Sequence, residues 1–252
     1  MNLTHKPYEG FAGIYDQLMC AVDYHAWVDY VEQLLTKYDS KPSSIIDLAC
    51  GTGSSTIPFA ERGYHTAGVD LSGEMLTRAR EKTAAKDLII TFFEQDLCQL
   101  DIPGSYDLAV LFQDGLNYIT SEEQLGQSFN RIHGLLNPGG MFIFDLTRPK
   151  LRPDNSQSTV SWVDVENFSM AWESSFSRES NLWSIKITVF ELTEGGLYKK
   201  YGEEHSEKDY EPGLIKRIIA DTGFKLLGLH PSFSTKKVTG NEVKLTFVAQ
   251  KM

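Results

Sequence analysis

The sequence is poor in side chains that crosslink a chain or bind metals. Its three cysteines, Cys20, Cys50 and Cys98, are odd in number and lack C-x-x-C spacing. Neither a disulfide framework nor a thiolate zinc site is indicated, and free thiols in a reducing compartment are expected. The six histidines are scattered, with no H-x-x-x-H pair to set two ligands on one helical face, so no metal is expected. No apolar run approaches the ~20 residues of a membrane-spanning helix, and the first residues, MNLTHKPYEGF, lack a basic segment followed by an apolar one. A cytoplasmic protein with no membrane partner is the expectation. Positive charge is also scarce: 24 Lys and Arg stand against 34 Asp and Glu, a formal net charge of -10. Sequence-independent nucleic-acid affinity comes from cations neutralising phosphates, so a nucleic-acid partner is disfavoured.

What is present is enough for a substantial core. Of 252 residues, 41% are hydrophobic and 23% charged, which suits one domain with a subdomain attached. From Ser44 onward short β-rich runs alternate with helical patterns, and this predicts βαβ units and a parallel sheet. The predicted strands are 44–50, 66–70, 88–93, 106–112 and 141–145. Helix signals lie between them: Pro58 in a first turn with Gly63 after Arg62, Ser72 ahead of 74–82, and Ser121 with Gln124 as a capping box. The last helix sets Leu125, Phe129, Ile132 and Leu136 on one face, and Asn137-Pro138-Gly139-Gly140 ends it.

Two regions break the alternation. Residues 1–40 read as two helices, the second opening at Asp23 with Trp27, Val28, Val31, Leu34 and Leu35 as its apolar stripe. Residues 158–206 carry period two, with Met170, Trp172 and Phe176 on one face and Trp183, Ile185, Ile187 and Val189 on another. Turns at Ser180-Asn181 and Glu194-Gly195-Gly196 make this an antiparallel meander. A helix over 212–222, closed by Gly223, leads to strands at 225–229 and 243–250. The implied division is a helical cap at 1–40, a core at 41–150, a β insert at 151–208, and a return to the core at 209–252.

The strongest signal is Ile45-Ile46-Asp47-Leu48-Ala49-Cys50-Gly51-Thr52-Gly53-Ser54, an apolar strand entering a small-residue turn that opens a helix. Glycine suits a turn where a ligand lies against bare backbone or φ is positive. A dinucleotide fingerprint needs a third small residue, and counting from Gly51 that position is Thr56, which weakens a NAD reading. Asp70 ends the second strand, where open α/β sheets place an acid against ribose hydroxyls. Glycine turn and acid together form a two-point grip on an adenosine-containing ligand. Alone, a strand-terminal Asp also serves as an ordinary helix cap.

The segment from Asp47 through Asp70 resembles motif I and the acidic loop of class I S-adenosylmethionine (SAM) dependent methyltransferases. Ala49-Cys50-Gly51-Thr52-Gly53 stands where that family has G-x-G-x-G, with Ala49 replacing the first glycine. The resemblance implies an α/β fold: a Rossmann-like, seven-stranded, mostly parallel sheet with N-terminal helices and an inserted antiparallel β subdomain. It implies SAM as cofactor, with Asp47, Ala49, Cys50, Gly51 and Gly53 at the turn, Asp70 on the ribose, and Leu71 and Met75 walling the adenine. Asp96 and Leu97, in Glu94-Gln95-Asp96-Leu97, stand at the adenine amino group, and Phe112, Gln113 and Asp114 beside the methionine portion. Leu136 to Gly140 resembles the family's turn before its fifth strand. Upstream, Phe11 to Met19 with Tyr15, followed by Tyr24 and Trp27, is similar to a small-molecule subgroup related to sugar-amine N-methyltransferases. There the N-terminal helices close over SAM and the position of Tyr15 faces the sulfonium. Those enzymes carry a histidine where this chain has Asn117, a departure that bears on the acceptor and leaves methyl transfer untouched.

Methyl transfer is an in-line displacement that needs orientation and exclusion of water rather than a metal. An acceptor amine or hydroxyl losing a proton benefits from a general base. Ligands bind at the carboxyl ends of the strands, so the candidate groups are Asp114, Asn117, Tyr118, Arg148, Glu204 and His205. His205 is the natural proton acceptor, since imidazole ordinarily titrates at ~6.5, although the charged run 203–208 also reads as a solvated face. Trp162, Trp172, Trp183 and Tyr198 offer a pocket wall or a homodimer interface, set against an ordinary small core. The expected function is methylation of a small-molecule amine or hydroxyl. The alternatives are a tRNA- or protein-modifying SAM enzyme and a SAM-binding protein without catalysis.

Overall fold

The computed structural model describes residues 4–5, 7–151 and 158–252. Residues 1–3 and 6 of the expected cap and 152–157 of the expected insert lie outside the described residues. In chain order the elements are β1 (Thr4–His5), α1 (Ala12–Leu18), α2 (Tyr24–Lys37), β2 (Ser44–Leu48), α3 (Thr56–Glu61), β3 (His65–Asp70), α4 (Gly73–Ala84), β4 (Thr91–Glu94) and β5 (Tyr106–Leu111). There follow α5 (Glu122–Leu135), β6 (Leu136–Thr147), β7 (Thr159–Val165), β8 (Phe168–Ser177), β9 (Leu182–Leu192), β10 (Tyr198–Lys208), α6 (Pro212–Asp221), β11 (Phe224–Pro231) and β12 (Lys244–Lys251).

Seven strands form one sheet in the order β11-β12-β6-β5-β2-β3-β4. Neighbours from β6 through β4 pair in parallel, while β12 runs antiparallel to both β6 and β11. Both faces are covered, as parallel sheets require. In β5, Leu108 and Val110 pack with Trp27, Val28, Val31 and Leu34 of α2 on one face. Ala109 and Leu111 pack on the other, with Phe129 of α5 and Ile215 and Ile219 of α6. Helix starts follow the sequence signals: Asp23 accepts from the Ala26 N–H, Ser72 from Met75 and Ser121 from Gln124, each satisfying an otherwise orphaned donor.

The second sheet has the order β1-β10-β9-β8-β7, antiparallel except for the short parallel pairing of β1 with β10. Its inner face, with Met170, Trp183, Ile185, Ile187 and Val189, packs on Phe11 and Ile14 of the cap. The period-two pattern therefore marked the buried face correctly.

Two boundaries and one pairing stand out against expectation, and Leu136, expected on the helix face, opens β6. Residues 88–90 are not strand: Asp87 takes a positive φ, the Leu88 N–H returns to Thr83 at the end of α4, and Ile89 is 97% exposed. Asn137-Pro138-Gly139-Gly140 is absorbed into β6, with a register irregularity between Tyr106 and Leu108 opposite. The pairing of β1 was not foreseen, because two residues carry no pattern. Among the described residues no helix is long and apolar enough to cross a membrane.

Candidate functional site

β2 runs into a turn in which Ala49, Gly51 and Gly53 all take positive φ, at 53°, 55° and 73°. A side chain at such a position costs roughly 1 kcal/mol, so Ala49 carries strain that the glycines avoid. A Cβ on Gly53 would come within 3.1 Å of the Ala79 Cβ, so glycine also permits the close approach of α4. Beside Gly51 the space is open: a Cβ there would meet nothing within 4 Å. Beneath the turn, the buried Asp47 carboxylate accepts Ser55 Oγ and Thr56 Oγ1, each at 2.7 Å, and so fixes the start of α3. Asp70 takes the Gly51 N–H at 2.7 Å on one oxygen and the Ser72 N–H at 2.9 Å on the other. Burial pushes the Asp70 carboxyl above its usual range against the opposing pull of these N–H bonds.

The cap is tied to this turn through Asp16 of α1. One Asp16 oxygen accepts Thr52 Oγ1 at 2.5 Å and Ser54 Oγ at 3.1 Å, and the other accepts Lys82 Nζ at 2.8 Å. Lys82 donates as well to Thr52 and Ser54. Burial alone would raise the Asp16 carboxyl, but Lys82 and Thr52 outweigh it and hold it below the usual carboxylate range.

A cavity of about 300 Å³ opens where cap, insert and core meet. The cap contributes Tyr8, Phe11, Tyr15 and Trp27, the insert Trp172, Trp183, Ile185, His205 and Glu207, and the core Gln113, Asp114, Tyr118 and Lys244. Gln113 and Asp114, just beyond β5, are successive left-handed residues at φ 58° and 69°. Their N–H groups donate to the buried Asp145 carboxylate at 2.9 and 3.2 Å. Lys244 Nζ spans Asp114 at 2.8 Å and Asp145 at 3.2 Å and lies 5.6 Å from the Trp27 ring centre, while Thr147 Oγ1 donates to Asp114. Burial would lower the Lys244 ammonium, but Asp145 and Asp114 outweigh it and keep it protonated.

On β10 the alternation sends Tyr201, Glu203, His205 and Glu207 inward and Glu204 and Ser206 outward. His205 Nε2 lies 3.0 Å from Glu203 Oε2, and its Nδ1 lies 3.0 Å from the Tyr118 hydroxyl, which is 2.7 Å from the Tyr8 hydroxyl. Glu203 also accepts the N–H groups of Tyr8 and Phe11 at 2.7 and 2.8 Å. Burial pushes the Tyr8 and Tyr118 hydroxyls well above their ordinary titration range, so both keep their protons.

The chain has known relatives. A methyltransferase-domain family matches residues 45–140. A Geobacillus protein (strain WCH70) with a provisional methyltransferase name is 31% identical over 245 residues, spanning 97% of this chain and 99% of its own. The crystal structure of a SAM-dependent methyltransferase from Clostridium acetobutylicum superposes with a TM-score of 0.84 at 30% identity, over 96% of this chain and 98% of that one. The chain belongs to the SAM-dependent methyltransferases. A shorter match joins it to the Streptomyces venezuelae dTDP-3-amino-3,4,6-trideoxy-alpha-D-glucopyranose N,N-dimethyltransferase, 28% identical over 123 residues, 49% of this chain and 50% of that one.

The methyltransferase uses SAM, and the donor set fits a nucleoside: open backbone at Gly51, a strand-terminal carboxylate at Asp70, and Leu71 beside it, 71% exposed. The structure brings Ala49, Gly51, Asp70 and Leu71 to this ledge and Tyr15, Gln113, Asp114 and His205 to the cavity. Asp96 caps a short helical turn through the Cys98 N–H, with Leu97 half-buried after it.

Other expected site residues lie behind these surfaces. Met75 is buried in α4, and the Cys50 thiol packs with Leu76, Ala79 and Phe92, leaving only its backbone for the turn. Asp47 is spent on α3, and Phe112 packs on Trp27 at 4.8 Å between ring centres. Asn117, fully buried, gives both amide protons to the Thr147 and Lys208 carbonyls and accepts the Thr147 N–H. It pins the loop after β5 to β6 and β10 rather than touching an acceptor. Arg148 is turned to the Gly240 carbonyl, and Glu204 faces outward. Pattern reading passed over Tyr8, Glu203, Glu207 and Lys244. Period two alone would have put Glu203 and Glu207 with His205; nothing local marks Lys244.

Burial pushes the Asp47 carboxyl up to about 6, opposed by the Thr56 and Ser55 hydroxyls, against an ordinary value of ~3.9. The folded state therefore holds this proton more tightly than the unfolded chain. Its contribution to stability is greatest below about pH 4 and declines by about 3 kcal/mol as pH rises to 6. Urea unfolding across pH 4 to 7 is expected to show this extra decline in the wild type and not in Asp47→Asn; parallel slopes would refute it.

Proposed function

We propose that the methyltransferase acts on a small-molecule amine held in the cavity, with the Tyr118–His205–Glu203 chain receiving its proton. The observation that carries this is the cavity wall: the rings of Tyr8, Tyr15, Trp172 and Trp183 together with the acid Glu207, the charge of Asp114 being taken up by Lys244. Ring faces and carboxylates favour a cationic guest, and about 300 Å³ suits a small ligand. The Streptomyces relative, named for N,N-dimethylation of an amino sugar, supports nitrogen as the acceptor. The net charge of -10 argues against a nucleic-acid substrate.

SAM, when bound, supplies a methyl group activated on a sulfonium. In this reading the backbone of Ala49 and Gly51 lies against the ligand, Asp70 accepts from ribose hydroxyls, Leu71 covers the adenine, and Asp96 and Leu97 flank it. Gln113 and Tyr15 border the methionine end. Glu203 accepts from His205 Nε2–H, which leaves Nδ1 as the acceptor of the Tyr118 proton. The proton leaving the acceptor nitrogen passes to Tyr118 Oη while that of Tyr118 passes to His205 Nδ1. The resulting imidazolium rests on Glu203. The near-complete burial of His205 limits water at the exchange.

Losing a charge-assisted hydrogen bond costs about 1.5 to 3 kcal/mol, so Asp70→Ala should bind S-adenosylhomocysteine about 10- to 100-fold more weakly by calorimetry with its circular dichroism unchanged. Equal affinity would remove the ribose role. With tritiated SAM and a panel of amino sugars and simple amines, wild-type protein should label at least one amine, and His205→Gln should lower kcat by about 100-fold. Label appearing in RNA alone would overturn the small-molecule reading, and an undiminished His205→Gln would overturn the base.

We also propose a second copy of this chain as the partner of the insert. Val160 and Trp162, 72% and 59% exposed, share the outer face with Glu173, Lys186, Glu204 and Lys200. Its mixed charges allow self-complementary pairing about a two-fold axis. Light scattering should give a dimer mass for the wild type and a monomer for Trp162→Glu; a wild-type monomer would sink this.

A further inference from the structure

Tyr8 lines the cavity and also reaches the turn beside Asp70 through Ser72. It takes φ 64°, a conformation that is a genuine outlier for a bulky residue and persists only when its surroundings over-determine it. Every polar group of Tyr8 is engaged. Its N–H donates to Glu203 Oε2 at 2.7 Å, its carbonyl accepts Ser72 Oγ at 3.0 Å, and its hydroxyl lies 2.7 Å from that of Tyr118. Its ring meets His205 edge-on, with centres 4.9 Å apart and planes at 85°.

These partners sit at opposite ends of the reaction. Ser72 caps α4 and gives its own N–H to Asp70, the acid of the nucleoside ledge. Glu203 and Tyr118 are the two hydrogen-bond partners of the His205 ring. With the single proton of Tyr118 committed to His205 Nδ1, the Tyr8 hydroxyl must donate to Tyr118 Oη. One residue thus links Asp70, through Ser72, to both nitrogens of His205.

We infer that Tyr8 is a positioning residue that couples occupancy of the Asp70–Ser72 ledge to the orientation of the His205 ring. It rests on the readings of Asp70 as ribose ligand and His205 as proton acceptor. A shift of the ledge moves the Tyr8 carbonyl, and the left-handed backbone hands that shift to a hydroxyl and an N–H that both bear on His205. The consequence is order: the proton-accepting chain is aligned when the nucleoside is in place, before an acceptor arrives.

The test needs no acceptor. Two-bond ¹H–¹⁵N spectra of the full chain report the His205 ring tautomer and environment, and S-adenosylhomocysteine is the probe. In the wild type, saturating probe should shift the His205 ring nitrogens. In Tyr8→Phe, which keeps the ring and both backbone ties, the probe Kd should stay within about twofold while the His205 shift falls to less than a third. Tyr118→Phe, which cuts the chain one step nearer His205, should do the same. A full His205 response in Tyr8→Phe, or none in the wild type, overturns the coupling. So does a Tyr8→Phe protein that loses probe affinity and thermal stability while the His205 response persists, the pattern of a purely structural tyrosine. Failure of the underlying base reading is seen separately, as undiminished amine methylation by His205→Gln.

Discussion

At the carboxyl edge of the parallel sheet, each sharp turn that faces the site is held by a carboxylate from the next strand. Asp70, ending β3, takes the Gly51 N–H of the turn after β2, and Asp145, in β6, takes the N–H groups of Gln113 and Asp114 after β5. Left-handed residues turn their amides out of the ladder, and a buried amide without a partner costs a hydrogen bond's worth of stability. The neighbouring acid satisfies them and so makes the turns rigid. The arrangement brings Asp114 and Asp145 together as like charges, which Lys244 neutralises from the first residue of β12. An antiparallel strand far along the chain is thereby needed to shape the loop after β5.

Cap and insert depend on the same edge. The cap is bound to the glycine turn through Asp16 and Lys82 and to the insert through Glu203, whose buried carboxylate receives two backbone amides of residues 8 to 11. The Asp16–Lys82 pair is part-exposed, so its separate contribution is modest. The Glu203 bonds lie in the interior, where losing a partner is expensive. The cavity is thus enclosed by contributions from three separate stretches of chain.

The chemistry divides between two environments. Around the glycine turn, polar backbone and Asp70 face an open ledge, suited to a hydrogen-bonding nucleoside. Around His205, aromatic rings exclude water and the hydroxyls of Tyr8 and Tyr118 keep their protons. A directional chain of hydrogen bonds on a fixed wall is an arrangement that would preorganise the proposed proton transfer.

Local pattern was sufficient for much of this. Apolar runs at Ile45, Leu108 and Ile143, buried on both faces, announced parallel strands, and alternation from Phe168 to Val189 announced the insert. The glycine turn and the acid 19 residues after Gly51 were legible because backbone geometry imposes small residues and an acid there regardless of context. Met75 and Asn117 lie buried in this structure, Asn117 with its amide fully hydrogen-bonded: a family position names a residue's place along the chain and not the direction of its side chain. Charged 203–208 resembled a solvated face, yet alternation in a strand covered by the cap turned Glu203, His205 and Glu207 inward. The amino-acid sequence by itself determined the sheet, its order of helices and the glycine turn with its strand-terminal acid, since these follow from periodicity and turn chemistry within short windows. Only the tertiary structure decided the cavity, because Tyr8, Tyr118, Glu203 and His205 are joined by hydrogen bonds across separations of up to 195 residues, and no local signal encodes which distant side chains share one wall.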